Sequence, residues 1–407
     1  MLYFKNSELS DRYHVTLRTV QNWITAAKQQ KLDLELHYVG NRAYVANTTR
    51  NVEIVEHLAQ AGKKYRPKSA VKTAAPRPEF YEIFSTTQVL DIINNLDING
   101  EIPRQYNYFA EGAEHWDAYA RRLAGDSTPN SVNSTIKLLD LNRAYLNALF
   151  DGYQRVNIID VGVGNAMPVR KLLAHLANQH KLGRYIALDI SPEMLEIARR
   201  NIKAWFDGDV PFEGYEVDIN YDRFANLVAE EHLKKSAEGT INVVLVLGGT
   251  LGNLGSPDAA LKIIHDSMGR NDILIHSQKL DSERARRHFD FNVGPGELVP
   301  APIHRFVVDL LNIDKSFYNL EVGYDEELRQ RYERIRLKVA LTIEFGLLGG
   351  EQVVTLNKDD TILLWRAWHQ DSLDVMRQLD HNGFKPLQVS QTNDEVYVLT
   401  VSRLKTR

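Results

Sequence analysis

From Val156 to His276 the chain repeats one pattern. A short apolar run ends in a turn, and apolar positions spaced three and four apart follow it. The runs Val156–Asp160, Tyr185–Asp189, Asn242–Leu247 and Ile273–His276 read as buried strands, with a third strand of the series near Tyr215–Val217. Val169, Leu172, Leu173 and Leu176 mark the helix after the first of them. Regular strand–helix alternation predicts an α/β, doubly wound sheet. Antiparallel strands near Arg334–Glu344 and Val396–Ser402 are expected to close it.

The first 65 residues follow a different pattern. Ser7–Val15 reads as a short helix ending in a turn. Thr16 is a plausible N-cap for a second helix bearing Val20, Trp23 and Ile24. Leu32 to Val45 alternates around Gly40-Asn41, as a hairpin does. An amphipathic helix follows at Val52–Ala61. The order resembles a small winged helix-turn-helix of the MerR or excisionase kind. In such a module Arg18, Thr19, Gln21 and Asn22 would face bases or phosphates, and Arg42 on the wing would reach the backbone. Charge agrees: residues 1–77 carry a balance of +7, the remainder −11. Duplex DNA bound through residues 1–77, by a homodimer across two half-sites, is one expectation. A helical protein-interaction module with a solvated basic face would show the same core.

Residues 66–79 read as a basic linker and 80–150 as a helical region. The latter is rich in aromatics at Tyr106–Phe109 and His115–Tyr119, which would form either a substrate wall or core. There are no cysteines among the 407 residues, which excludes disulfides and thiolate zinc sites. His276, His288, His304 and His369 lack ligand spacing, so no metal is expected. No apolar run is long enough to cross a bilayer and no signal-peptide core is visible, so the expectation is a cytoplasmic protein.

Candidate chemistry gathers at the strand ends, where open α/β sheets bind ligands. Asp160 is followed by Gly162 and Gly164, Asp189 ends the second strand, Asp218 and Ile219 follow the third, and Gly248 follows the fourth. A strand, a glycine turn and a helix let backbone N–H groups approach a ligand. This order resembles a class I S-adenosylmethionine-dependent methyltransferase with a Rossmann-like sheet. The resemblance implies S-adenosylmethionine (SAM) as cofactor. Gly162 and Gly164 would lie against its methionine portion and Asp160 would help hold the amino group. Asp189 would take the ribose hydroxyls, and Asp218 the adenine amino group, with Ile219 stacked on the ring.

The sequence Gly248-Gly249-Thr250-Leu251-Gly252-Asn253 narrows this further. With Gly350-Glu351 and Asn382-Gly383-Phe384, it resembles the histidine Nα-methyltransferase family of ergothioneine biosynthesis over roughly residues 80–405. The resemblance implies a helical lid (80–150), a SAM-binding core (151–280), an inserted α+β substrate subdomain (281–355) and a C-terminal part of the core (356–407). It also implies Asn253 on the carboxylate of a small amino-acid-like amine, with tyrosines such as Tyr106 and Tyr108 around the amine. The family's Glu-x-Ser-x-Lys imidazole reader has no full counterpart in Thr361–Arg366 or Leu356-Asn357-Lys358, and its Tyr-Tyr-x-Thr-Arg pattern is not visible in Phe80–Leu90. Histidine is therefore expected to be a poor acceptor. A ligand-sensing regulator with a methyltransferase-like body is the alternative. A nucleic-acid methyltransferase is another, although no Asn/Asp-Pro-Pro-Tyr/Phe motif follows the fourth strand.

Overall fold

The computed structural model describes residues 3–13, 15–39, 42–64, 71–233, 239–282, 300–347 and 350–405. They divide into two compact units, one of residues 1–102, 310–319 and 336–362, the other of 103–309, 320–335 and 363–407.

The first unit opens with α1 (Asn6–Tyr13) and α2 (Leu17–Lys28). Thr16 caps α2: its hydroxyl accepts the N–H of Thr19 at 3.1 Å. Strands β1 (Leu36–Val39) and β2 (Arg42–Val45) pair antiparallel, and α3 (Thr49–Lys64) follows. The expected turn at Gly40-Asn41 lies outside the described residues. Leu9, Val20, Ile24, Val45 and Val55 share one core. Buried Asn51 ties α3 to the hairpin by donating to the carbonyls of Glu35 and Ala46, each at 2.8 Å. Then come β3 (Lys72–Ala74), α4 (Pro78–Ile83) and α5 (Thr86–Asn99). The span expected as linker thus contains a strand. Three residues are too few to show alternation, and β3 exists through its partner strand.

The second unit continues with α6 (Glu111–Gly125), α7 (Ser131–Leu141), α8 (Arg143–Phe150), β4 (Arg155–Val161), α9 (Arg170–Asn178) and β5 (Leu182–Asp189). Next are α10 (Pro192–Phe206), β6 (Phe212–Glu216), α11 (Ala225–Leu233), β7 (Thr240–Val246), α12 (Pro257–Ser267) and β8 (Ile273–Lys279). Beyond α13 (Pro302–Leu310) lie β9 (Tyr318–Asp325), β10 (Gln330–Leu337), β11 (Leu341–Leu347), β12 (Gly350–Leu356) and β13 (Thr361–Trp368), of which β11 and β12 belong to the first unit. Helix α14 (Ser372–His381), β14 (Phe384–Gln391) and β15 (Tyr397–Leu404) complete the chain.

Seven strands form the central sheet in the order β14-β15-β8-β7-β4-β5-β6. The five from β6 to β8 are parallel; β15 runs antiparallel to β8, and β14 to β15. Successive residues of β4 face opposite sides: Ile158 joins the core with Leu173 and Tyr185, Ile159 the core with Leu188 and Leu261. Both faces are covered, so these strands read as unbroken apolar runs.

Val396–Ser402 closes the sheet as expected, but Arg334–Glu344 does not. β10 belongs to a sheet ordered β13-β10-β9, and β11 to one ordered β12-β11-β3. Alternation reveals a strand with one buried face; it does not name the partner. The span expected as one insertion, 281–355, accordingly falls in both units, and residues 283–299 lie outside the described ones. The helical span 80–150 also divides, α4 and α5 from α6 to α8. No helix among the described residues is long and apolar enough to cross a membrane.

Candidate cofactor and acceptor site

The carboxyl ends of β4, β5 and β7 lie on one edge of the sheet. After β4 the backbone turns at Gly162 (φ +68°) and Gly164 (φ +54°). A Cβ on Gly162 would stand 2.9 Å from Cγ2 of Thr250, so the turn after β4 and the loop after β7 pack too closely for a side chain. A Cβ on Gly164 would stand 3.3 Å from the Trp116 indole nitrogen.

Asp189 is buried at the end of β5. Its oxygens accept the N–H groups of Gly164 (3.3 Å) and Ser191 (3.2 Å). Burial pushes its pKa up to about 6 against these hydrogen bonds. Asp160 is buried too and accepts the Tyr185 hydroxyl at 3.0 Å. Burial lifts it to about 7, with the charge of Asp189 adding to the rise. Asp218 lies two residues beyond the end of β6. Its Oδ1 accepts the backbone and side-chain N–H of Asn220 at 2.9 and 2.7 Å. Ile219 packs into the core with Phe224 and Leu227. The N–H of Gly248 donates to the Ser277 hydroxyl at 3.1 Å, and space at the Gly248 and Gly249 α-carbons is open. An open cradle, a glycine turn and a strand-end carboxylate that receives only backbone N–H groups fit a ribose-bearing cofactor.

Beyond the cradle stands an aromatic cluster. Asn253 Oδ1 accepts the indole N–H of Trp365 at 3.1 Å, and Trp368 donates to the Leu254 carbonyl at 2.8 Å. Trp365 stacks on His304 with ring centroids 5.4 Å apart. His304 Nδ1 is 2.8 Å from Glu333 Oε2, and burial holds the ring's pKa below its usual value. The neutral ring therefore donates Nδ1–H to Glu333 and turns the Nε2 lone pair to Arg104 Nη1, 3.4 Å away. The Arg104 guanidinium lies 5.6, 5.8 and 5.6 Å from the rings of Tyr108, Trp116 and Trp365, and its Nε donates to the Tyr108 hydroxyl. Ser191 donates to the Tyr108 carbonyl at 2.6 Å, fastening this segment to the end of β5. Tyr108 thus joins Asn253 through Arg104 and Trp365. Tyr106 is 3% exposed and packs near Phe109.

In the first unit Gln21 and Asn22 are exposed on α2. Thr19 is spent on the cap, its hydroxyl 3.0 Å from that of Thr16. The Arg42 side chain lies outside the described residues. Arg18 is turned inward: its side chain is 24% exposed, 4.0 Å from Asp360, and its charge favours ionisation of Asp97. It also packs at the C-terminus of α5, where Gly100 (φ +60°) leaves room for it.

Residues 88–404 match the family described as "Histidine-specific methyltransferase, SAM-dependent". The chain belongs to this family. SAM is the family's cofactor, and the central sheet is its class I, Rossmann-like fold. A curated relative, histidine N-alpha-methyltransferase of Mycolicibacterium smegmatis, is 27% identical over 215 residues; the match spans 49% of this chain and 62% of the relative. Among solved structures, magnesium protoporphyrin IX methyltransferase from Synechocystis PCC 6803 with bound S-adenosylhomocysteine gives a TM-score of 0.39 at 13% identity, covering 74% of this chain and 98% of that one. The glycopeptide N-methyltransferase MtfA with SAM gives 0.32 at 12%, covering 71% and 94%.

Sequence reading overlooked Arg104, His304, Glu333 and Trp365 as members of one cluster in this methyltransferase. The only signal for it was the aromatic density that includes Tyr108 and Trp116. Arg104 and His304 are 200 residues apart and share no motif.

Proposed function

We propose that this methyltransferase carries a methyl group from SAM to the amine of a small amino-acid-like acceptor. The supporting observation is the single run of contacts from the glycine turn through Trp116, Arg104 and Trp365 to Asn253. Gly162, Gly164 and the Gly248 loop would bed the methionine portion, with Asp160 behind the turn. Asp189 would accept the ribose hydroxyls; Asp218 and Ile219 would meet the adenine. The cofactor supplies a methyl group made electrophilic by its sulfonium. The chain's task is then alignment and exclusion of water from an in-line displacement. Asn253, its Oδ1 engaged by Trp365, keeps its amide N–H groups for the acceptor's carboxylate. Tyr108 borders the amine, which must be uncharged to attack.

The family's description and the relative's name speak of histidine. This chain lacks the paired Glu and Ser of the family's imidazole reader, and we read histidine as a poor acceptor. Labelled SAM offered with amino acids, simple amines, peptides and DNA tests the reading. Transfer to an amino acid is expected; efficient methylation of free histidine would overturn the exclusion, and transfer to DNA alone would overturn the acceptor class.

A second reading concerns residues 1–65, which we infer to be a winged helix-turn-helix that binds duplex DNA. It is favoured by the adjacent exposure of Gln21 and Asn22 on a capped helix beside a two-stranded hairpin. Arg18 is not retained as a base or phosphate contact, because Asp360 and the α5 terminus hold it.

A further inference from the structure

Arg104 is 9% exposed, and its polar partners among the described residues are the Tyr108 hydroxyl and a neutral imidazole nitrogen. Among the described residues it makes no ion pair. The carboxylate of Glu333 is engaged by His304, which spends its one ring proton on it. A full positive charge is therefore held out of water by three aromatic faces. Such faces recover part of the cost of burial, and a buried charge ordinarily needs a counter-charge. The missing anion has a natural source, because this guanidinium sits over the same indole whose N–H holds Asn253.

An amino acid with its α-carboxylate at Asn253 would lie along Trp365 toward Arg104. Arg331 lies 5.5 Å from the same ring. An imidazolium or ammonium side chain would be repelled; an acidic one would be drawn in. We propose that the acceptor is an amino acid with an acidic side chain, and that Arg104 reads that second acid. This rests on the amino-acid reading given above, and it names the side chain that reading left open. A guanidinium enclosed by aromatic faces and lacking a carboxylate of its own is a specificity device, since an amide isostere leaves it uncompensated.

The test is binding, so it does not depend on turnover. Full-length protein saturated with S-adenosylhomocysteine is titrated in a calorimeter with glutamate, aspartate, glutamine, asparagine and histidine. At least one acid should bind at least about tenfold tighter than its amide, the scale of a charge-assisted pair. Arg104→Met should erase that ratio, and Arg104→Lys should restore part of it. Retained S-adenosylhomocysteine affinity shows that a variant is folded; if Arg104→Met is not, the wild-type ratio and Arg104→Lys decide. Equal affinity for acids and amides, or no binding of either acid, overturns the proposal. So does a loss in Arg104→Met that is the same for glutamate and glutamine, which would put the α-carboxylate on Arg104. Tight binding of an acid with no methyl transfer to any amine keeps this inference and removes the N-methylation reading. Amine methylation without acid preference does the reverse.

Discussion

Asp160 and Asp189 end neighbouring parallel strands and are both buried, yet they face different tasks. Asp189 receives only backbone N–H groups and has oxygen lone pairs left for a diol. Replacing it by alanine should weaken S-adenosylhomocysteine binding by about 1.5–3 kcal/mol, the range for hydrogen bonds to a charged group. Because only the ionised carboxylate accepts two hydroxyls, affinity should rise with pH through about 6, where Asp189 titrates. Asp189→Asn should bind more weakly and lose that pH dependence; a wild-type affinity flat across the window would remove Asp189 from the ribose contact. Asp160 sits behind the turn and holds Tyr185. Its folded pKa, about 7, lies above the usual 3.8. The stability it contributes is thus fully present below its unfolded pKa and is lost as pH rises through about 7. Asp160→Asn keeps an acceptor for Tyr185 and does not titrate. Urea unfolding of the ligand-free proteins should show the variant gaining on wild type as pH climbs over this window. A constant difference would mean that Asp160 is ionised throughout.

Helix α6 converts a flexible glycine turn into a defined one. Asn165, between the turn and α9, donates to Asp117 at 2.8 Å and accepts from Asn201 of α10 at 3.0 Å. Arg121 braces the pair, bonding Asp117 at 2.9 Å and Asn201 at 2.7 Å. Asp117→Ala leaves the buried Asn165 amide and Arg121 short of an acceptor. A stability loss of about 1–3 kcal/mol is expected, with weaker S-adenosylhomocysteine binding, because the turn loses its brace. Chemical denaturation and calorimetry on one preparation check both; unchanged cofactor affinity would show that the turn holds its shape without α6. This brace was not legible in the sequence, because its members come from two helices and a loop and share no motif. The strands were legible for the opposite reason: β4, β5, β7 and β8 are covered on both faces, so burial is written as continuous apolar runs. β10 and β11 alternate clearly, with Ile335, Leu337, Leu341, Ile343 and Phe345 all fully buried, but alternation carries no information about which sheet they enter. The acceptor cluster fell between these cases. Asn253 came from a motif and Tyr108 from aromatic density. Arg104 and His304 are meaningful only as neighbours, and neighbourhood across 200 residues is a property of the fold.

At the scale of the whole molecule, a +7 N-terminal segment precedes a −11 body within a chain of net charge −4. Such a chain repels DNA overall and can be held on it only by the basic module. Full-length protein should therefore bind duplex DNA at low salt, with an affinity that falls steeply as salt rises, because each phosphate contact releases counterions. A homodimer spanning two half-sites would add affinity that one module lacks. Exchanging Gln21 and Asn22 together for alanine should flatten any sequence preference and leave the salt slope, since uncharged side chains can read bases without displacing ions. Arg18→Ala should do little to DNA binding and more to stability, because its charge is already used at Asp360 and the α5 terminus. Were it instead to reduce the salt slope by about one unit, α2 would have to release Arg18 on binding. Titrating DNA with and without S-adenosylhomocysteine then separates an enzyme with a tether from a regulator with a methyltransferase body. If the cofactor shifts DNA affinity by some factor, DNA must shift cofactor affinity by the same factor. Matched shifts favour the regulator and independent binding favours the enzyme. A protein that fails to retain DNA at low salt would have a protein-interaction module at its N-terminus, with the methyltransferase reading untouched.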